Sequence, residues 1–252
     1  MPQIKINGLN IEVATEGQGR DVVLLHGWRQ RMIMMEPIYN HLKAHFRVFN
    51  FDFPGFGKSD EPPVAWGVPE YREFLEAFCQ TFDIHDPILI GHSFGCRVAV
   101  HYAVKNPVHK MVLTGAAGIR PKQTWQAKLK IAGYKAAKKA ITLVGSEAML
   151  EDFKRKSGSD DYRNATGIMR ETFVKVVNDD VSRMLEDVTV PVLLVWGEND
   201  EAAPLWMGKQ MEAKMKNAGL AIFEGDDHFA YFNQSARFNR CLDVFLKEDW
   251  EE

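Results

Sequence analysis

Short apolar, β-branched blocks recur along the chain: DVVLLHG from Asp21, FRVFNFD from Phe46, PILIG from Pro87, HKMVLTGAA from His109, VPVLLVWG from Val190 and LAIFEG from Leu220. Longer segments separate them. Continuous apolar runs of this length predict strands buried on both faces, as in a parallel sheet. Before them, Ile4, Ile6, Leu9, Ile11 and Val13 alternate with polar residues around Asn7-Gly8, which predicts an antiparallel hairpin with a tight turn.

The intervening segments carry helical spacing. In PEYREFLEAFCQTF, Pro69 suits a first helical position, and Tyr71, Phe74, Leu75, Phe78 and Phe82 make one apolar face. PLWMGKQMEAKMKN begins at Pro204 in the same way. SARFNRCLDVFLKE starts with Ser235 as a cap and aligns Phe238, Leu242, Val244, Phe245 and Leu246. Strand-helix alternation predicts an α/β protein with a mostly parallel central sheet of about eight strands and helices on both faces. Residues 119–186 break the rhythm, being helical in pattern without a strand block. They are expected to form an inserted helical cap, with residues 1–118 and 187–252 as the core.

The net charge of −3 over 252 residues gives no field for nucleic acid, and no zinc-finger spacing occurs. Cys79, Cys96 and Cys241 are odd in number and set in apolar segments, which predicts buried free thiols and no disulfide. The N-terminus lacks the basic start and apolar block of a signal peptide, and no run reaches the roughly 18 apolar residues of a membrane span. A cytoplasmic monomer or homodimer acting on a small molecule is the expectation.

Candidate chemistry begins at Gly91-His92-Ser93-Phe94-Gly95. By itself the pattern is weak, since about one chain of this length in ten carries G-x-S-x-G by chance. Its context is more telling: PILI precedes it as a strand, and CRVAVHYAVKN follows as a helix ending before Pro107. A sharp strand-to-helix turn lifts a serine hydroxyl above the sheet edge and leaves room only for small flanking residues, while the Phe94 N–H opens the helix toward a developing oxyanion. Downstream, VPVLLVWGEND delivers Asp200 after one strand and LAIFEGDDH delivers His228 after the next. Serine is a weak nucleophile at neutral pH, so an imidazole must take its proton and a carboxylate must orient the imidazole.

On these motifs the chain resembles the α/β-hydrolase fold superfamily almost end to end. The resemblance implies Ser93, Asp200 and His228 as catalytic triad, in that chain order. No metal-ligand set and no G-x-G-x-x-G after a strand occurs in the sequence, so no metal and no cofactor is expected. From LLHGWRQ the resemblance implies the Trp28 N–H as second oxyanion donor beside that of Phe94. FDFPGFGKSD resembles the family's D-x-P-G-x-G-x-S loop, in which Asp52, Gly55, Gly57 and Ser59 are read as scaffold. Glu198, Asp226 and Asp227 are the competing acids; the last two precede His228 where relatives carry small residues. His92 is read as support within the elbow, and His41, His45, His85, His101 and His109 as surface or core residues.

The expected activity is hydrolysis of an ester, thioester or related acyl bond of a small to medium apolar substrate through an acyl-enzyme on Ser93. A carbon-carbon bond hydrolase of the same fold is the nearest alternative, and a triad-retaining ligand sensor or signalling partner is the alternative from another class. Two features stay open. Arg120, Lys122, Lys128, Lys130, Lys135, Lys138 and Lys139 occur with no acid among them; they read either as a dock for an anionic partner or membrane, or as a solvated face of a helix whose Trp125, Leu129 and Tyr134 pack inward. Met32, Met34 and Met35 read as core, with an acyl-pocket lining as the sharper option.

Overall fold

The computed structural model describes residues 3–120, 125–157 and 159–250. Its eight strands are β1 (Gln3–Ile6), β2 (Leu9–Glu16), β3 (Asp21–Leu25), β4 (Arg47–Phe51), β5 (Ile88–His92), β6 (Lys110–Thr114), β7 (Val192–Gly197) and β8 (Ala218–Phe223). They form one sheet in the order β1-β2-β4-β3-β5-β6-β7-β8. β1 and β2 are antiparallel to their neighbours, and every pairing from β4 onward is parallel. The fold is thus α/β with helices on both faces. At the first turn Ile6 faces Leu9, and Asn7 and Gly8 both take positive φ, 49° and 87°. A two-residue turn of that hand matches the strands' twist.

Alternate residues of the central strands feed two cores. Val23, Leu25, Leu89, Leu113 and Leu194 face α2 (Val68–Thr81) and α3 (Phe94–Ala103). Val22, Leu24, Ile88, Ile90 and Val112 face α1 (Glu36–Leu42) and, near the chain's end, Phe238, Leu242 and Leu246. Because both faces are covered, these strands need apolar residues at every position, which is why they stand out in the sequence.

Between β6 and β7 lie α4 (Trp125–Val144), α5 (Glu147–Ser157), α6 (Asp160–Asn164) and α7 (Gly167–Val177), and no strand occurs among the described residues there. α7 and the turn that follows it are tied to the core: Arg97 donates to the Val176 and Asp179 carbonyls, His101 bonds Asp179 at 3.0 Å, and the Trp66 N–H donates to Thr172. α4 and α5 are far more exposed. The chain closes with α8 (Leu205–Lys214), α9 (Ala230–Asn233) and α10 (Ser235–Phe245).

Some local expectations shift. Val68, not Pro69, opens α2; Gln234, not Ser235, precedes α10 as its cap. Val244 is 79% exposed and lies off the buried stripe of α10, because two residues after Leu242 it points about 200° around the helix from it. Cys79 and Cys96 are buried free thiols, whereas Cys241 is only half-buried. Met32 and Met35 are buried, Met35 among the core residues packed on α1.

Candidate active site

β5 ends at His92 and α3 starts at Phe94, so Ser93 alone makes the turn, at φ 50°, ψ −105°. A non-glycine residue there is strained. The turn is held by the Ser93 N–H, which donates to the Thr114 carbonyl on β6 at 3.0 Å. Glycine flanks are sterically required: a Cβ on Gly95 would lie 2.1 Å from the Leu25 carbonyl oxygen, and one on Gly91 2.9 Å from the Cys96 nitrogen. The serine itself is half-buried. As the first residue of α3, Phe94 carries one of the N–H groups that a helix leaves without an internal partner.

The loops after β7 and β8 meet beside this turn. His228 Nδ1 donates to Asp200 Oδ2 at 2.7 Å, and the other oxygen, Oδ1, accepts the Ala203 N–H at 2.8 Å. The Asp200 side chain is 0% exposed and that of His228 16%. With Nδ1–H given to the carboxylate, His228 Nε2 is left as the basic nitrogen. The His228 ring lies 4.7 Å from that of His92, the residue before Ser93. All three groups therefore follow the carboxyl ends of β5, β7 and β8, the edge where α/β sheets place ligands.

The competing acids are occupied elsewhere. Asp226 accepts from the Asp227 N–H, Asn233 and Gln234; burial opposes its ionisation, but these bonds outweigh that and hold its carboxyl below the usual range. Asp227 accepts from the Phe229 N–H and Asn233, and Glu198 from the Gly225 N–H. Their positions in the sequence reflect loop closure and the start of α9, not contact with the imidazole.

One residue escaped the sequence reading. Gly115 follows β6 at φ 52°, and a Cβ there would sit 3.0 Å from His228 Nδ1 and 3.3 Å from Asp200 Oδ2. A side chain there would press on the His–Asp pair, and the positive φ strains any residue but glycine. A glycine directly after an apolar strand was the available signal.

His26 and Asp52 hold the opposite wall. His26 donates from Nδ1 to the Gly27 carbonyl at 2.8 Å and accepts the Phe53 N–H at Nε2, 2.9 Å. Asp52 accepts the Met32 and Lys58 N–H groups, and Ser59 donates to the Asp52 carbonyl. Gly57 packs so closely on Asp52 that a Cβ would fall 1.9 Å from its Oδ2. The Trp28 ring meets Phe56, Phe94 and, from α7, Phe173 at 4.9, 5.7 and 5.3 Å between centroids. An aromatic wall thus stands beside the elbow.

Burial pushes the His26 imidazole from 6.5 down to about 4, against weaker upward pulls from the Gly27 carbonyl and Asp52. His92, fully buried beside His228, shifts in the same direction. Since the folded value is the lower one, the unfolded chain binds more protons between the two. Stability is then complete above about pH 6.5 and declines as pH falls toward about 4, with about 3 kcal/mol from His26. Urea midpoints measured across this window should drop on acidification, with a shallower slope in His26→Asn; equal slopes would contradict the assignment.

Among the described residues, no group of three His, Cys, Asp or Glu side chains is placed to hold a metal ion. No helix among them is long and apolar enough to cross a membrane.

A parallel sheet extended by an antiparallel hairpin, with a strand-turn-helix carrying a serine at its centre, defines an α/β-hydrolase fold. Family comparison agrees: the chain belongs to the alpha/beta hydrolase family, whose model matches residues 22–240. It is 25% identical to the AB hydrolase superfamily protein YisY of Bacillus subtilis over 91% of this chain and 92% of that protein. It is 30% identical to a 2-hydroxy-6-oxononadienedioate/2-hydroxy-6-oxononatrienedioate hydrolase of Paraburkholderia xenovorans, over 91% and 88%. Among solved structures, an esterase from Exiguobacterium antarcticum superposes with a TM-score of 0.75 at 22% identity, covering 98% of this chain and 99% of the other.

Proposed function

We propose that the chain is a serine hydrolase that cleaves an ester, thioester or related acyl bond of a small to medium apolar substrate. The observation that carries this reading is the buried Asp200–His228 hydrogen bond of 2.7 Å beside a serine held in a strained turn. His228 Nε2 takes the Ser93 hydroxyl proton as Oγ attacks the carbonyl carbon, and Asp200 stabilises the imidazolium formed. Backbone N–H groups of Trp28 and Phe94 receive the oxyanion. The proton then passes from His228 to the leaving group, the acyl-enzyme forms, and water activated by the same imidazole releases the acid. Residues 119–186 act as the cap, α7 supplying Phe173 to the aromatic wall that Trp28, Phe56 and Phe94 begin.

A panel of p-nitrophenyl esters and acyl thioesters of increasing chain length tests the reading. Turnover is expected for short to medium acyl groups and should fall by at least about a thousandfold in Ser93→Ala. Equal rates in the variant would refute it. Carbon-carbon hydrolysis is the second reading, favoured by the 30%-identical relative. A 2-hydroxy-6-oxodienoate added to the panel distinguishes the two by which bond is cleaved faster.

A further inference from the structure

The lysine-rich segment that precedes α5 does not pack as a covered helix. The expectation that Trp125 and Leu129 turn inward is overturned: they are 69% and 61% exposed, and Leu143 is 74% exposed. Lys122 lies outside the described residues. α4 meets α5 on another side, where Tyr134 stacks on Phe153 at 5.1 Å and Ala137 and Ile141 are partly covered. That contact uses up one face of α4, and among the described residues none covers the stripe on the far side.

At about 100° per residue, Trp125, Leu129, Ala132, Ala136, Ala140 and Leu143 fall within one arc of roughly 80°. All six are exposed, and the helix of 20 residues carries them along about 30 Å. Lys135 and Lys139 run along one edge of the stripe, while Lys130 lies about 80° past the other, toward the side of Ala137 and Ile141. Each of these lysines is exposed, and among the described residues none has an ion-pair partner. A chain of net charge −3 has thus gathered seven basic and no acidic residues between positions 120 and 146. An apolar stripe of that size standing in water costs free energy unless something covers it.

We propose that α4 is an interfacial helix that docks this protein on an anionic lipid bilayer. A bilayer surface offers what the helix lacks on both counts: negative charge at the headgroup level for the flanking lysines, and hydrocarbon just beneath for Trp125, Leu129 and Leu143. Lysine stems reach up to the headgroups while the apolar row sinks between them. A fluid surface also suits a straight row of a tryptophan, leucines and alanines, which needs no matching groove. The helix lies in the plane of the interface. α7 and the turn after it, bonded to the core through Arg97 and His101, keep the catalytic side attached while α4 and α5 engage the surface. The inference does not depend on which bond Ser93 attacks.

Flotation of the full chain with vesicles tests it. Phosphatidylcholine vesicles are compared with equal parts phosphatidylcholine and phosphatidylglycerol, at about 0.1 M and about 1 M salt. The protein is expected to float with the anionic vesicles at low salt, weakly at high salt, and not with phosphatidylcholine alone. The triple variant Lys130→Ser, Lys135→Ser, Lys139→Ser should bind at least about tenfold more weakly. Trp125→Ser with Leu129→Ser and Leu143→Ser should not float, while unfolding at the same temperature as the parent. Absence of flotation by the parent, or flotation unchanged in both variants, would overturn the proposal. So would a dimer in solution that the apolar variant dissolves without any vesicle binding, which would assign the stripe to a second copy of the chain.

Discussion

Asp200→Asn is expected to lower kcat toward a short acyl ester by about four orders of magnitude while leaving the fold intact. The reason lies in what each carboxylate oxygen does. Oδ1 accepts the Ala203 N–H and Oδ2 accepts the His228 Nδ1–H, so the site supplies two donors to one buried side chain. An amide has one oxygen only. If that oxygen stays on Ala203, the NH2 group faces His228 Nδ1, which must then accept; the ring proton moves to Nε2, and the nitrogen that should take the serine proton is already protonated. Turning the amide over restores the imidazole but sets NH2 against the Ala203 N–H, a buried donor-donor clash costing about 1–3 kcal/mol. Steady-state kinetics with thermal unfolding separates the outcomes, and a loss of less than about tenfold in kcat would remove Asp200 from the mechanism.

Ser93→Gly should raise stability and abolish activity. Serine at φ 50°, ψ −105° occupies backbone space that costs a side chain about 1–3 kcal/mol, and glycine adopts it freely. Against this stands the greater entropy that glycine loses on folding, about 0.5–1 kcal/mol. The difference favours the variant by about 1 kcal/mol, or about 2–4 °C in Tm for a chain of this size. No turnover should remain. A Tm that falls would show that the elbow is not strained at this residue, whatever the kinetics.

Much of this arrangement could be read along the chain for a physical reason. Central parallel strands have no solvent face, so DVVLL and PILI must be apolar throughout, and turns that demand positive φ select Asn7-Gly8. The elbow was legible because sterics admit only glycine at 91 and 95. What stayed hidden depends on partners distant in sequence. That β4 lies between β2 and β3 follows from crossovers no local pattern encodes. That Asp226 and Asp227 serve Asn233, Gln234 and the Phe229 N–H, while Asp200 serves His228, is settled by where two loops meet. Gly115 carries no chemistry of its own and matters only through the space it leaves for His228. For α4, helical periodicity names an apolar stripe but cannot say whether the fold covers it.

The central claim is that Ser93 is the nucleophile, and covalent labelling tests it most directly. Incubation with a fluorophosphonate followed by mass spectrometry of the peptide containing residues 91–95 should find one adduct per chain, on Ser93, and none in Ser93→Ala. Labelling that persists in the variant, or an adduct on another residue of the parent, would contradict the account.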